Sequence, residues 1–190
     1  AVNIINTSVS LALLSAVAAE EPMGRYGQRE FALYFIATFV VRQLTGSWVV
    51  WELNYDVRQG MLSVRLLRPV HPLIAYAVEN LAAIPLRLLL VVPVAVGATI
   101  LLGPGWLPTS LERWAMFALA TAGGWAITYL IGALCGALSL YIESSLRVND
   151  LYTVLFFVLS GYTLPVELFP EWLGRLGEWL PFRYQIALPV

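Results

Sequence analysis

The chain has 190 residues, of which 59% are hydrophobic and 12% charged, with a formal net charge of −1; soluble domains run at roughly 45–50% apolar and about 25% charged. With a mean hydropathy of +0.76, too few polar groups remain to cover a soluble core, so the composition excludes a soluble domain and points to a polytopic membrane protein. All 11 basic residues are Arg, and the single Cys and single His have no second copy. This excludes a lysine-bearing phosphate loop, an internal disulfide, a Cys/His zinc site and a Cys–His dyad, and the charge balance offers nothing to nucleic acid.

At roughly 20 residues per helical span, about five or six spans fit this length. The sequence starts at Ala1 rather than Met and stops at Val190 just after Pro189, and so reads as a piece of a longer chain. The first predicted span covers residues 4–19, a short apolar run without the basic leader of a signal peptide. Glu20, Glu21, Pro22, Gly24 and Gly27 break it. The second covers 31–51 and closes on Trp48 and Trp51, residues suited to a membrane interface. Arg42 lies near its middle, where it is expected to snorkel or face a neighbouring helix, with a place in a transport path as the alternative.

Residues 52–72 form the longest polar stretch, with Glu52, Asn54, Asp56, Arg58, Gln59, Arg65, Arg68 and His71. Their helical angles do not separate into an apolar and a polar face, which predicts a short surface helix at about 55–68 rather than a span. The third span covers 73–102, where Pro85 and Pro93 each remove a backbone hydrogen bond and are expected to kink it. Glu79 is placed at its membrane boundary and Arg87 deeper in. Gly103, Pro104, Gly105 and Pro108 turn the chain.

The fourth span, 114–141, is long enough to tilt or protrude. Ala120, Gly124, Thr128, Gly132 and Gly136 recur every four residues and stack on one face, where another helix can approach closely; a dimer seam is one version of that packing. Cys135 reads as a small packing residue there. The fifth span, 146–164, is barely long enough and closes on Pro165. Residues 166–180 are amphipathic: Phe169, Trp172, Leu173, Leu176, Trp179 and Leu180 fall on one side, and Glu171, Arg175 and Glu178 on the other. That pattern predicts a helix lying in or re-entering the headgroup layer. The acids are dispersed near span ends, and His71, followed by Pro72, has no partner by sequence. No constellation argues for catalysis. The whole chain reads as one all-α transmembrane domain, residues 1–190.

Two stretches carry a resemblance to a known family. Trp51-Glu52, then Asp56-Val57-Arg58-Gln59-Gly60-Met61-Leu62-Ser63, then Leu66-Leu67-Arg68-Pro69-Val70-His71-Pro72-Leu73 form the first. Ser160-Gly161, Pro165, Leu168-Phe169-Pro170, Trp172-Leu173 and Leu180-Pro181-Phe182-Arg183-Tyr184 form the second. Both resemble permease subunits of bacterial ATP-binding-cassette transporters, in the poorly characterised subgroup of the type-2 exporter-like family.

The resemblance implies five visible spans of about six in all, the last expected beyond Val190, in a multi-pass protein of the bacterial plasma membrane. It implies separate ATPase subunits that bind and hydrolyse ATP, so that this chain needs no cofactor of its own, and a second permease subunit, identical or different. It makes the loop around Asp56, Arg58, Gln59, Gly60, Met61, Arg65 and Arg68 the cytoplasmic element that couples to the ATPase. It makes the segment of Pro165, Pro170, Trp172, Trp179 and Pro181 re-entrant or interfacial on the outer side. With that topology Arg58, Arg65, Arg68 and Arg147 are cytoplasmic and Arg25, Arg29, Arg113, Arg175 and Arg183 external, so arginine counts supply no orientation of their own. A non-transporting scaffold subunit and a membrane-embedded lipid-acting enzyme are the competing readings.

Overall fold

The computed structural model describes residues 28–103, 109–143, 145–162, 170 and 179–186. The described residues are helical throughout, without a strand: α1 (Gln28–Thr45), α2 (Val49–Arg58), α3 (Met61–Leu66), α4 (Pro72–Ala82), α5 (Ile84–Leu102), α6 (Leu111–Ala137) with a 3-10 turn (Leu138–Leu140), α7 (Ser145–Leu159) and α8 (Phe182–Gln185). Among the described residues, three segments are long and apolar enough to cross a membrane: Ala32–Arg58, Pro72–Leu101 and Leu111–Leu140. The expected span at 4–19 and most of the amphipathic 166–180 segment lie outside the described residues.

The second span runs further than its tryptophans indicate. α1 stops at Thr45, before the helix-weak pair Gly46-Ser47, and the chain resumes as α2 in the same apolar segment. Arg87 of α5 closes that break, its Nη1 donating to the carbonyls of Gly46 and, at 3.4 Å, Gln43, as a cation should at a helix C-terminus. Asn80 of α4 caps the restart: its Oδ1 accepts from the Trp48 backbone N–H (2.9 Å) and the Ser47 hydroxyl (3.1 Å). An asparagine inside an apolar run is thus spent on orphan helix donors.

The two prolines of the third segment behave differently. Pro85 sits in the first turn of α5, where its missing N–H is one of the unpaired donors anyway, and the helix is interrupted just before it at Ala83. Pro93 lies inside α5, which is assigned as one continuous helix across it. His71 caps α4, its Nδ1 accepting the Leu73 N–H at 3.3 Å, with Pro72 at the first helical position. Only 11% of the Pro72–Leu101 core window is buried within the chain, so most of this span faces lipid or a partner.

α6 is the central strut, packed on α1, α2, α7 and α8. Its small-residue stripe is what lets α2 close on it. A Cβ on Gly132 would lie 2.9 Å from Cγ1 of Val49, and one on Gly136 would lie 3.0 Å from Cβ of Leu53. A Cβ on Gly124 would meet the Gln185 carbonyl at 3.0 Å. Thr128 folds its hydroxyl onto the Gly124 carbonyl (2.9 Å) and also reaches Oε1 of Gln185 (3.2 Å), while Ala120 is half-buried. Gly124, Gly132 and Gly136 are thus approached closely by Gln185, Val49 and Leu53 of the same chain. Val49, Leu53, Tyr76, Tyr129 and Ala133 form the core beside this contact; a second core joins Phe156, Leu159, Tyr162, Phe182 and Ile186. In the fifth span the helix α7 ends at Leu159, where the chain bends through Gly161 at φ +84°; residues 163–164 of that span lie outside the described residues. The 15 residues of α7 reach about 22 Å, short of the roughly 30 Å hydrocarbon core.

Candidate functional site

The polar stretch after the second span is a corner between two helices. α2 carries Asp56 and Arg58 at its end; Gln59 closes it, its N–H donating to the Tyr55 carbonyl at 2.9 Å. Gly60 then takes φ +71°, a left-handed backbone that a side chain makes costly, and α3 begins at Met61. The single helix expected over 55–68 is therefore two helices and a turn, which is why its residues showed no common polar face.

Arg65 binds the corner together. Its Nε lies 2.6 Å from Oδ2 of Asp56 on α2, and its Nη1 2.8 Å from Oε1 of Glu79 on α4. The guanidinium stacks 4.4 Å from the centre of the Tyr76 ring, and the Tyr76 hydroxyl donates to the same Asp56 oxygen at 2.6 Å. The hydrogen bond to Glu79 holds the Arg65 guanidinium above its ordinary pKa, so it stays charged. Alongside, Asn54 donates to the Ser145 hydroxyl at 2.8 Å, Asn80 donates to Glu52 at 3.0 Å, and Arg58 donates to the Glu143 carbonyl. The corner is thus tied to α4, to the start of α7 and to the loop before it.

The face turned away from these ties is apolar and open. Leu62 packs against the core, but no residue of α3 is buried. Met61 and Val64 are nearly half exposed, Leu66 more than half and Leu67 86% exposed, with Arg68 and Val70 beside them. Around the corner, a cavity of about 640 Å³ lies between α2, α3 and α4, lined among others by Trp51, Glu52, Tyr55, Arg58, Gln59 and Glu79. Five hydrophobic side chains, Met61, Val64, Leu66, Leu67 and Val70, lie exposed on one elbow rimmed by Arg58 and Arg68.

The seven residues assigned to coupling therefore divide. Asp56 and Arg65 are internal ties; Arg58 both ties and rims; Gln59 and Gly60 shape the turn; Met61 and Arg68 are on the open face. Of the residues assigned to the re-entrant segment, Pro165 and Trp172 lie outside the described residues, Pro170 is exposed, Trp179 is 91% exposed, and Pro181 is half-buried at the start of α8.

One family description, ABC-2 type transporter, matches residues 1–188, nearly the whole chain. The chain belongs to the ABC-2 type transporter membrane family. It is accordingly a permease subunit of an ABC transporter, a multi-pass membrane protein whose family implies ATPase partner subunits. No curated protein and no solved structure matches it.

Sequence reasoning missed Tyr76 and Asn80 and took Glu79 for a boundary marker. A signal was present: Tyr76, Glu79 and Asn80 are three and four apart, one polar face on an otherwise apolar ABC-2 span. Such a face calls for polar partners, and α2 and α3 supply them.

Proposed function

We propose that this permease couples to its ATPase subunits through the α3 elbow, with that end of the molecule cytoplasmic, and works as a dimeric exporter in a bacterial plasma membrane. The observation that carries the reading is the pairing of an open apolar face (Met61, Val64, Leu67) with a rigid inner face (Asp56–Arg65–Glu79) on one short element. A partner seated on the open face moves α3 as a unit. Because Arg65 grips α2 and α4 at once, that movement passes to both adjoining spans instead of dissipating in the loop. Arg58 and Arg68 add charge-assisted contacts at the rim.

The experiment is co-purification from native membranes. The wild-type subunit retains an ATPase, and the double variant Leu67→Asp, Arg68→Glu loses it while keeping its own melting temperature. Retention of the ATPase with unchanged turnover by that variant sinks the coupling assignment. An ATPase that binds without ATP-dependent flux favours the scaffold reading.

A further inference from the structure

Arg42 is a charged residue that the coupling account leaves without a task. It is the eleventh of the 27 residues of the Ala32–Arg58 segment, well inside the membrane. A charge at that depth is costly and normally pairs with an acid or with carbonyls. Arg87, the neighbouring arginine, does so through its Nη1, using the carbonyls of Gly46 and Gln43, while its Nη2 has no partner. Arg42 does not. Its guanidinium lies 4.8 Å from the centre of the Phe156 ring, its Nε is shut away with no hydrogen-bond partner, and among the described residues no carboxylate lies within ion-pair distance.

The same face of α1 carries two more unmet donors. Thr38 and Thr45, four residues before and three after Arg42, are 0% and 1% exposed, and neither hydroxyl has a partner. Helical threonines can satisfy themselves on the carbonyl one turn back, as Thr99, Thr128 and Thr153 do here at 2.7–2.9 Å, although Thr121 of α6 does not. On α1 this bond is not made. The nearby Tyr152, Gln185 and Thr128 hydrogen-bond to one another, so they do not absorb these groups. The result is a stripe of donors with surplus positive charge inside an apolar domain, which calls for an acceptor that carries negative charge.

We propose that the Thr38–Arg42–Thr45 stripe binds an oxyanion, a phosphate or carboxylate group, at membrane depth. An acidic amphiphile presents that group from within the bilayer; a small soluble anion is the other source of the same chemistry. The site goes beyond the permease reading and does not depend on it. An oxyanion there supplies the missing acceptor for Arg42 Nε.

The test uses the purified full-length protein in neutral detergent, with binding read by native mass spectrometry. Oleoyl lysophosphatidic acid is compared with monooleoylglycerol, which has the same tail and glycerol but no phosphate. The wild type is expected to bind the phosphate-bearing lipid about tenfold or more tightly. Arg42→Gln removes that preference without weakening monooleoylglycerol, Arg42→Lys keeps part of it, and Arg113→Gln, at the exposed start of α6, keeps it all. Displacement of the lysolipid by millimolar inorganic phosphate assigns the site to a soluble anion; no displacement assigns it to the amphiphile. Equal binding of the two lipids by the wild type overturns the proposal whether or not Arg42→Gln folds, and so does a preference that survives Arg42→Gln. ATPase capture by the same preparation is scored separately, so failure of the oxyanion site leaves the permease reading standing.

Discussion

Arg65 and Asp56 sit on opposite sides of a left-handed glycine, and their side chains meet at 2.6 Å between Nε and Oδ2. This contact turns the α2–α3 turn from a loop into a bracket. Asp56 is mostly buried and also accepts from Tyr76, so removing it strands two donors rather than one.

Asp56→Ala is therefore expected to destabilise the protein by roughly 1–3 kcal/mol, the cost of leaving buried polar groups unpaired. Glu79→Ala, whose carboxylate is nearly half exposed, is expected to cost about 1 kcal/mol or less. Melting in detergent checks the ranking; equal effects would show that Asp56 is not the anchor. ATPase coupling should weaken in Asp56→Ala even where the protein remains folded.

The glycine stripe gives a comparison within one helix. Gly132→Ala places its methyl 2.9 Å from Val49 Cγ1, whereas a methyl at Gly123, on the same helix, meets nothing within 4 Å. Gly132→Ala is expected to cost about 1–3 kcal/mol through overpacking, and Gly123→Ala to be neutral or slightly stabilising. Thermal melting of the two single variants decides it.

Gln185 is 1% exposed and donates to the Tyr152 hydroxyl at 2.7 Å while accepting from Thr128 at 3.2 Å. Gln185→Leu keeps the volume and removes both bonds. Interhelical hydrogen bonds in membranes average about 0.6 kcal/mol, so a loss of roughly 1 kcal/mol is expected, with faster proteolysis near residue 180 as α8 loosens from α6. An unchanged melting temperature and cleavage pattern would mean that apolar packing alone holds α8.

Much of this fold is legible in the sequence because the bilayer forces it. Apolar runs of the required length locate the segments that contain Phe35 to Val50, Leu73 to Leu101 and Trp114 to Leu140, since a continuous apolar run of that length hides its backbone from lipid as a helix. The four-residue spacing from Gly124 to Gly136 likewise marks a close helix contact, although not which helix makes it. What stays hidden are contacts that depend on the corner at Gly60. Linear helical angles across residues 52–72 mix two axes, so Asp56 looks like a surface charge when it is an internal tie. Asn80 and Gln185 are hidden for a related reason: a single polar residue in an apolar run reads as tolerated until its partners, far away in sequence, are brought beside it.

The central claim is that an ATPase seats on the α3 elbow. Cysteine cross-linking in native membranes tests it most directly, because the single native Cys135 is buried. Leu67→Cys, on the open elbow, is compared with Ile100→Cys, exposed at the far end of α5. The account predicts a cross-link to the ATPase from position 67, weakened or strengthened by ATP, and none from position 100. A cross-link from position 100, or an ATPase that co-purifies yet never cross-links from position 67, would contradict it.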